Sequence, residues 1–417
     1  MGRKITKMAV ALAASSVLTT SAIAGGLERG GYNIDLLFDE SRFSASASTT
    51  YVMPRRELNN VVDRNPVNGV GANGIGGGAT DGVKSTESYL VPRFGVKIGL
   101  GNSIDCMGDY SQPYGGDDNP GAEWAGANDN IRTFVESTGF AATCSYKFDV
   151  GPGSFRIIGG VSHLEITGFK DRLVAPVPVL APGAGTGVGR LELEGNGIGW
   201  RVGAAFEIPE IALRASLMYY SEVEIDDVTG NLDLTQVPGA LNPANPLLGR
   251  NTPIFGSSAL PEVVELKVQS GIAPGWLAFG SVKWVDWGQL QSIPFCPEST
   301  RSLAPCTSGG PTEVTSLDLN YRDGWTISGG VGHAFNDQLA VAASLTWDRG
   351  TSTGTGAQTD SYAFAAGIAI TPNETSEFRI GGAFGVLTSG SSMSDDVSYD
   401  FGNDLVGAIS ASFKAKF

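Results

Sequence analysis

The C-terminal stretch from Asp404 to Phe417 constrains the fold of this chain more than any other part. Its odd positions carry an apolar row that includes Leu405, Ile409 and Phe413, whereas its even positions become polar towards the end. Successive side chains of a β-strand point to opposite faces, so this pattern predicts an amphipathic strand. A strand of this kind that finishes on Phe is typical of bacterial outer-membrane β-barrels, and we expect lipid against its apolar side.

The N-terminus predicts export from the cytoplasm. Arg3, Lys4 and Lys7 precede an apolar run of small residues over 8–24, which ends in Ala22-Ile23-Ala24. This is the pattern of a secretory signal peptide, and residues 1–24 are therefore excluded from the fold. An inner-membrane anchor is the alternative, but the run is short and rich in Ser and Thr. Later segments lack the ~20 apolar residues of a spanning helix, which leaves a periplasmic, secreted or outer-membrane protein.

Composition favours strands and excludes nucleic-acid binding. The chain of 417 residues holds 58 Gly and 21 Pro, and only 17% of its residues are charged. Its mean hydropathy is +0.01, as expected where polar and apolar residues alternate. The formal charge is −15, and it falls to −18 without the three basic residues of the signal peptide. Such a surface repels nucleic acid.

Apolar residues alternate with period two through residues 43–417, which predicts an all-β protein. Short turns such as Gly101-Asn102-Ser103 alternate strictly with long loops rich in Gly and Pro. A transmembrane antiparallel β-barrel places its short turns in the periplasm and its long loops outside, so the alternation favours this fold. The predicted strands number fourteen: 43–54, 85–100, 104–113, 135–148, 154–167, 190–206, 211–226, 262–272, 275–291, 314–335, 338–349, 359–371, 376–387 and 404–417.

Residues 25–42 are predicted to plug this barrel. A barrel of fourteen strands is wide enough to need filling. The segment carries a short apolar element that contains Ile34, Leu36, Leu37 and Phe38. A loose periplasmic tail is the alternative, although tails are usually polar.

The lumen is expected to be poor in charge, and therefore suited to a hydrophobic passenger. The inferred inward faces of strands 325–335, 338–349 and 359–371 hold mostly Ala, Gly, Ser and Thr. Four charged exceptions are Arg214, Lys283, Glu377 and Arg379. Four bulky residues are also candidates to point inward: Met107, Met218, Tyr220 and Trp284.

Four cysteines fit an oxidising compartment. Cys296 and Cys306 flank a short Pro-rich segment, where we expect a loop-closing disulfide, and Cys106 and Cys144 could then pair between neighbouring strands. Three connectivities are possible for four cysteines, and the sequence does not choose among them. The spacings do not match a zinc site, and we expect neither a metal nor another cofactor.

Three stretches carry a likeness to a known family. They are Leu260-Pro261-Glu262 through Pro274-Gly275-Trp276 to Trp284-Val285-Asp286-Trp287, Tyr321-Arg322-Asp323-Gly324-Trp325 to Phe335-Asn336-Asp337, and Val91-Pro92-Arg93-Phe94-Gly95 through Tyr110 to Tyr114-Gly115. In these stretches the chain resembles the FadL-type outer-membrane transporters of long-chain fatty acids and hydrocarbons. With the strand count, the likeness extends over most of residues 43–417.

The resemblance implies a mechanism. A substrate would meet the outer loops, enter the lumen, pass a short N-terminal hatch and leave sideways into the membrane at a kinked third strand. Here that strand is Ile104 to Tyr114, which contains Gly108, Tyr110 and Pro113; Gly and Pro both weaken pairing inside a sheet. The Asn-Pro-Ala motif of the family's hatch is absent, and the hatch is shorter.

The sequence therefore predicts a monomeric barrel that carries hydrophobic molecules inward without catalysis, with long-chain fatty acids as the first expectation and hydrocarbons as the second. Expected partners are the hydrophobic ligand, the barrel-assembly machinery, and outer-membrane lipids and lipopolysaccharide. The acidic run of Glu222, Glu224, Asp226 and Asp227 could bridge to lipopolysaccharide through divalent cations, or could simply be a solvated face. Three rivals remain: a water-filled porin, a lipid-modifying enzyme that uses His163 or His333, and a structural or adhesive barrel.

Overall fold

The computed structural model describes residues 25–65 and 78–417. The predicted signal peptide and the Gly-rich loop 66–77 lie outside these residues. Among the described residues, no helix combines the length and the apolar character needed to cross a bilayer.

The described chain forms one closed antiparallel β-barrel of fourteen strands, which confirms the predicted fold class. The last strand pairs with the first from Ser44↔Lys416 to Pro54↔Val406, so no strand of the ring keeps a free edge. The barrel strands are β1 (Phe43–Pro54), β4 (Tyr89–Leu100), β5 (Ile104–Ser111), β7 (Arg132–Val150), β8 (Gly153–Leu173), β9 (Val188–Ile208), β10 (Leu213–Tyr220), β13 (Val263–Ala273), β14 (Trp276–Val285), β17 (Gly324–Ala334), β18 (Leu339–Asp348), β19 (Ser361–Asn373), β20 (Ser376–Leu387) and β23 (Asp404–Lys416).

The predicted short turns all connect barrel strands at one end, which is the periplasmic end in an outer-membrane barrel. The long connections at the other end build a cap from nine further strands and several short helical turns. These strands are β2 (Glu57–Asp63), β3 (Val83–Lys84), β6 (Gly115–Asp118), β11 (Val223–Asp233), β12 (Asn251–Leu260), β15 (Ser292–Pro297), β16 (Thr315–Asp318), β21 (Gly390–Met393) and β22 (Val397–Phe401). The helical turns of the cap are Val177–Leu180, Gly239–Leu241, Trp287–Gln289 and Glu298–Thr300. Two further helical turns lie elsewhere: Asp35–Phe38 precedes β1, and Pro209–Ile211 lies in the short turn between β9 and β10.

The outward face of the barrel is apolar, as its lipid environment requires. On β23, Leu405, Ile409 and Phe413 are exposed on the outside, whereas Val406 and Ala408 are buried inside. A belt of exposed aromatic side chains marks the end with the short turns: Phe148, Trp276, Phe335, Phe378 and Phe417. This is the periplasmic part of an aromatic girdle.

Residues 25–42, called here the hatch segment, lie inside the barrel. Gly31 adopts a left-handed conformation (φ +57°), and the turn at this glycine leads into the short helix Asp35–Phe38. The Asn33 side chain accepts a hydrogen bond from the Asp35 amide at 2.7 Å, just before that helix. Ile34, Leu37 and Phe38 join a core cluster inside the barrel that includes Met107 and Met218.

Candidate functional site

The hatch segment is fixed to the barrel wall by hydrophobic packing and by ion pairs. Leu37 is fully buried, and Ile34 and Phe38 are nearly so. The Phe38 ring lies between two guanidinium groups, 4.5 Å from Arg214 and 5.4 Å from Arg156, measured from each guanidinium carbon to the ring centre. Leu36 is half-buried and its side chain lies over Gly95 of β4. This packing places the four predicted apolar residues in the lumen.

Each carboxylate on the inner side of the hatch segment meets a cation of the wall. Glu28 lies 2.5 Å from Lys283, Asp35 lies 3.5 Å from Arg214, and Asp39 lies 3.1 Å from Lys414. Lys97 adds two hydrogen bonds, to the Asp39 carbonyl at 2.8 Å and the Ser41 carbonyl at 2.7 Å. Arg93 donates to the carbonyls of Gly30 and Gly31. The strands that supply these cations surround the segment.

The prediction of a lumen poor in charge is wrong. Besides the four exceptions that the sequence indicated, the inner wall carries buried ion pairs between Arg156 and both Asp105 and Glu207, each at 2.6 Å. Arg201 and Asp109 lie 3.6 Å apart, also buried. Strands β17, β18 and β19 do carry mostly small inward residues. The charged side chains of these ion pairs lie on β5, β8 and β9. The prediction for Trp284 is wrong as well: its neighbour Lys283 points inward to Glu28, so Trp284 faces outward and donates to Asp323 at 3.0 Å.

The third strand of the ring is interrupted beside the hatch segment. β5 pairs with β4 up to Arg93↔Ser111, and the chain resumes in β6, which pairs with β7 alone. The next link on this side is the isolated bridge Thr86↔Asp118, between the residues just before β4 and the end of β6. Between these two contacts the described backbone carries no ladder pairing from β4 to residues 112–116. This gap in the wall is called the window below.

Pro113 lies in the window and connects it to the hatch segment. Proline has no N–H to give to a ladder. The Pro113 carbonyl accepts three backbone N–H groups of the hatch segment, from Arg29 at 2.9 Å and from Gly30 and Gly31 at 3.3 Å. Gly108, in contrast, pairs regularly with Val96 on β4 and Ala142 on β7. The interruption therefore starts after Ser111, and Gly108 is not part of it.

The structure joins Cys106 to Cys144 and Cys296 to Cys306. The first bridge links β5 to β7 on the side of the third strand away from the window. Tyr110 faces outward on β5, with its ring 5.4 Å from that of Phe140 on β7. The third strand is thus held firmly to β7, and its seam with β4 is the weaker of the two.

One cavity lies on each side of the hatch segment. The upper cavity, on the cap side, has a volume of 440 Å³ and extends from Leu27, Tyr89 and Gly116 at the window to Leu193 and Tyr399 further up. Most of its wall is apolar, although charged side chains such as Arg56, Asp118 and Lys170 also line it. The lower cavity has a volume of 240 Å³ and is lined by charged and hydroxyl side chains, among them the hatch ion pairs. A volume of 440 Å³ lies within the range of small-molecule sites.

The other sequence candidates lie away from these cavities. His163 is exposed on the outside of β8, 3.9 Å from Glu165, while His333 packs between Trp276 and Phe335 at the periplasmic end. The acidic run on β11 is exposed, and Asp227 pairs with Arg301 at 2.9 Å. Within residues 25–65 and 78–417, no three His, Cys, Asp or Glu side chains group as metal ligands would.

A closed barrel with an aromatic belt, a lumen that holds residues 25–42 and a largely apolar cavity beneath the cap defines a transport barrel of the outer membrane. A family model described as outer membrane protein transport protein (OMPP1/FadL/TodX) matches residues 35–413. The chain therefore belongs to the FadL/TodX family of outer-membrane transport proteins, which are transporters and not enzymes.

Individual relatives agree with this placement. The long-chain fatty acid transport protein of Salmonella typhi is 26% identical over 267 residues, which is 61% of this chain and 57% of that protein. The crystal structure of a Pseudomonas aeruginosa FadL homologue has 14% identity and a TM-score of 0.74, with 95% of this chain and 98% of that chain covered. The P. putida toluene transporter TodX has 13% identity and a TM-score of 0.57, with 92% of each chain covered. These two structures support the fold alone.

The sequence did not identify several residues of the site. Glu28, Arg29, Arg93 and Lys97 hold the hatch segment or the window, yet they were not singled out. The sequence does contain a pattern for the two wall residues. Arg93 and Lys97 are four positions apart on one strand, so their side chains must lie on the same face.

Proposed function

We propose that this protein carries long-chain fatty acids across the outer membrane by passive diffusion, from the upper cavity through the window and sideways into the bilayer. The main support is the apolar cavity of 440 Å³, which reaches the window at Tyr89 and Gly116. A long acyl chain can follow this apolar wall without meeting the charges of the lower lumen. Aromatic and aliphatic hydrocarbons are the second candidate class, because the same wall would accept them.

The charged lower lumen speaks against direct passage of an acyl chain to the periplasm. Below the hatch segment, such a chain would have to displace ion pairs whose side chains are nearly buried, such as Lys283 with Glu28. Separating a buried pair is strongly unfavourable. The window offers a shorter exit, since β4 and the third strand share no ladder pairing there.

The charges do favour the porin alternative in one respect, since porins have polar lumens. The hatch segment nevertheless occupies this lumen and pairs with its cations on β10, β14 and β23. We infer that polar solutes are excluded as long as the segment stays in place.

Filling the upper cavity tests this proposal. Leu193 of β9 lines the cavity, while its neighbour Glu192 is exposed on the outside. Replacement of Leu193 by Trp should lower oleate uptake into proteoliposomes by at least about fivefold, because overpacking such a site is unfavourable by about 1–3 kcal/mol. Replacement of Glu192 by Trp is the matched control and should leave uptake unchanged. Equal uptake by both variants and the wild type would refute the route through this cavity.

A further inference from the structure

Arg29 of the hatch segment has no role in the hatch ion pairs, although it is almost completely buried. Its exposed fraction is 5%. In the described part of the chain, neither its Nε nor its Nη2 has a hydrogen-bond partner. Buried guanidinium groups normally satisfy their donors, so two unused donors on one side chain call for an explanation.

The Arg29 side chain lies across the window. Its guanidinium carbon is 4.4 Å from the ring centre of Tyr89 on β4 and 6.0 Å from that of Phe134 on β7. These two strands flank the interrupted third strand. A Cβ atom added to Gly115, at the start of β6, would lie 2.7 Å from the Arg29 Nε, so this glycine leaves the space that the guanidinium occupies.

The acidic side chains nearby have other partners. Asp117 and Glu136 are close enough to act on Arg29 electrostatically. Asp117, however, is bound by Arg132 through two hydrogen bonds at 2.9 and 3.0 Å, and Glu136 accepts a hydrogen bond from Gln112. Within the described residues neither carboxylate accepts a hydrogen bond from the Nε or Nη2 of Arg29, so these two nitrogens remain available to a ligand.

We propose that Arg29 binds the carboxylate of an acyl substrate at the window and so makes the protein selective for carboxylates over neutral chains of the same length. A guanidinium presents paired donors that match a carboxylate, and such charge-assisted bonds are the strong ones. Arg29 itself lines the lower cavity, but Tyr89 and Gly115, which its guanidinium contacts, line the upper cavity. A headgroup at the window can therefore reach Arg29 while the tail stays in the upper cavity. This inference rests on the proposed function, because it assumes the route through the window.

The test compares two ligands with the same alkyl chain, palmitate and hexadecanol, in proteoliposomes of the full barrel. Replacement of Arg29 by Met keeps an unbranched side chain that fills part of the same space and removes its charge. We expect palmitate uptake to fall at least tenfold, equivalent to about 1.4 kcal/mol, with hexadecanol uptake unchanged or raised. Replacement of Arg29 by Lys keeps the charge without the paired donors and should give an intermediate palmitate rate. Replacement of the exposed Arg250 by Met is the control and should change neither rate.

Each result separates the two proposals. Wild-type protein that carries neither ligand would refute the proposed function itself. If the wild type carries both ligands and the ratio of palmitate to hexadecanol is the same in the Arg29→Met variant, Arg29 does not select carboxylates. An equal loss of both ligands, in protein that still migrates as a folded barrel in cold detergent gels, would also overturn the inference and leave Arg29 a structural role. If the Met variant does not fold, the Lys variant decides: an unchanged ratio in that variant refutes the paired-donor mechanism.

Discussion

The ion pair between Glu28 and Lys283 gives the sharpest test of the proposal that the hatch segment closes the lumen. The two side chains are 5% and 11% exposed and lie 2.5 Å apart. Replacement of Glu28 by Gln preserves the size of the side chain but leaves the Lys283 ammonium without its carboxylate. Removing one partner of a buried pair is typically unfavourable by 3–5 kcal/mol. We expect the lower end, about 3 kcal/mol, because the buried Asp348 also acts on Lys283 and compensates part of the loss.

A loss of about 3 kcal/mol raises the population of the displaced hatch segment by roughly 150-fold. The assay is the ionic conductance of single barrels in planar bilayers, where the fraction of time spent open should rise by this order. Replacement of Glu40, an exposed acidic residue of the same segment, by Gln is the matched control and should leave conductance unchanged.

The double variant Glu28→Gln with Lys283→Met separates the charge effect from a packing effect. It removes both charges, so no uncompensated ammonium remains, and the open fraction should return most of the way to the wild-type value. Conductance of the Glu28→Gln variant equal to that of the Glu40→Gln control would refute the reasoning.

Three further perturbations test other parts of the site. Replacement of Pro113 by Val should lower oleate uptake about fivefold, because one new N–H allows pairing across the window and a hydrogen bond contributes about 1 kcal/mol. Gly108→Val is the control, since a Cβ at this glycine has no contact closer than 3.9 Å, and equal uptake by the two variants would exclude the window as exit. Burial raises the pKa of Asp39, but Lys414 and the Ser41 amide lower it more, so the pKa of Asp39 lies below its ordinary value. The ion pair of Asp39 therefore holds the hatch segment above about pH 4, and this contribution is lost as the pH falls below that value. Dye leakage from proteoliposomes should therefore stay level from pH 6 to about pH 4 and rise below it, and the rise should be smaller in Asp39→Asn; the same leakage curve for both proteins would contradict this. Replacement of Cys296 and Cys306 by Ser removes a constraint of about 2–3 kcal/mol on the loop between them, so trypsin should cleave faster at the exposed Arg301, and unchanged cleavage would show that the loop is held by other contacts.

Much of the barrel is predictable because lipid imposes a simple rule on it. Every outward position of a strand that lies within the bilayer must be apolar, so alternation in 404–417 and the repeated short turns are enough to predict fourteen strands and their closure. Residues inside the barrel obey no such rule. Their partners come from strands far apart in the sequence, as with Glu28 and Lys283, and no local pattern indicates which charges will meet.

The window, too, could be predicted only in part from the sequence. Pro113 is a local signal, because its missing N–H weakens any ladder, and the predicted kink included it. Gly108 gave an equally strong signal, yet its neighbours on β4 and β7 pair with it regularly. Arg29 could not be recognised from sequence at all, since its two unused donors depend on the packing of Tyr89, Phe134 and Gly115 around it.

The most direct test of the account measures two fluxes through one protein. Proteoliposomes that contain the wild-type barrel should take up palmitate in a saturable manner, while sucrose enters no faster than in protein-free vesicles. Sucrose influx at the rate of an open porin, with palmitate uptake no greater than in empty vesicles, would contradict the central claim that an apolar route bypasses a plugged, charged lumen.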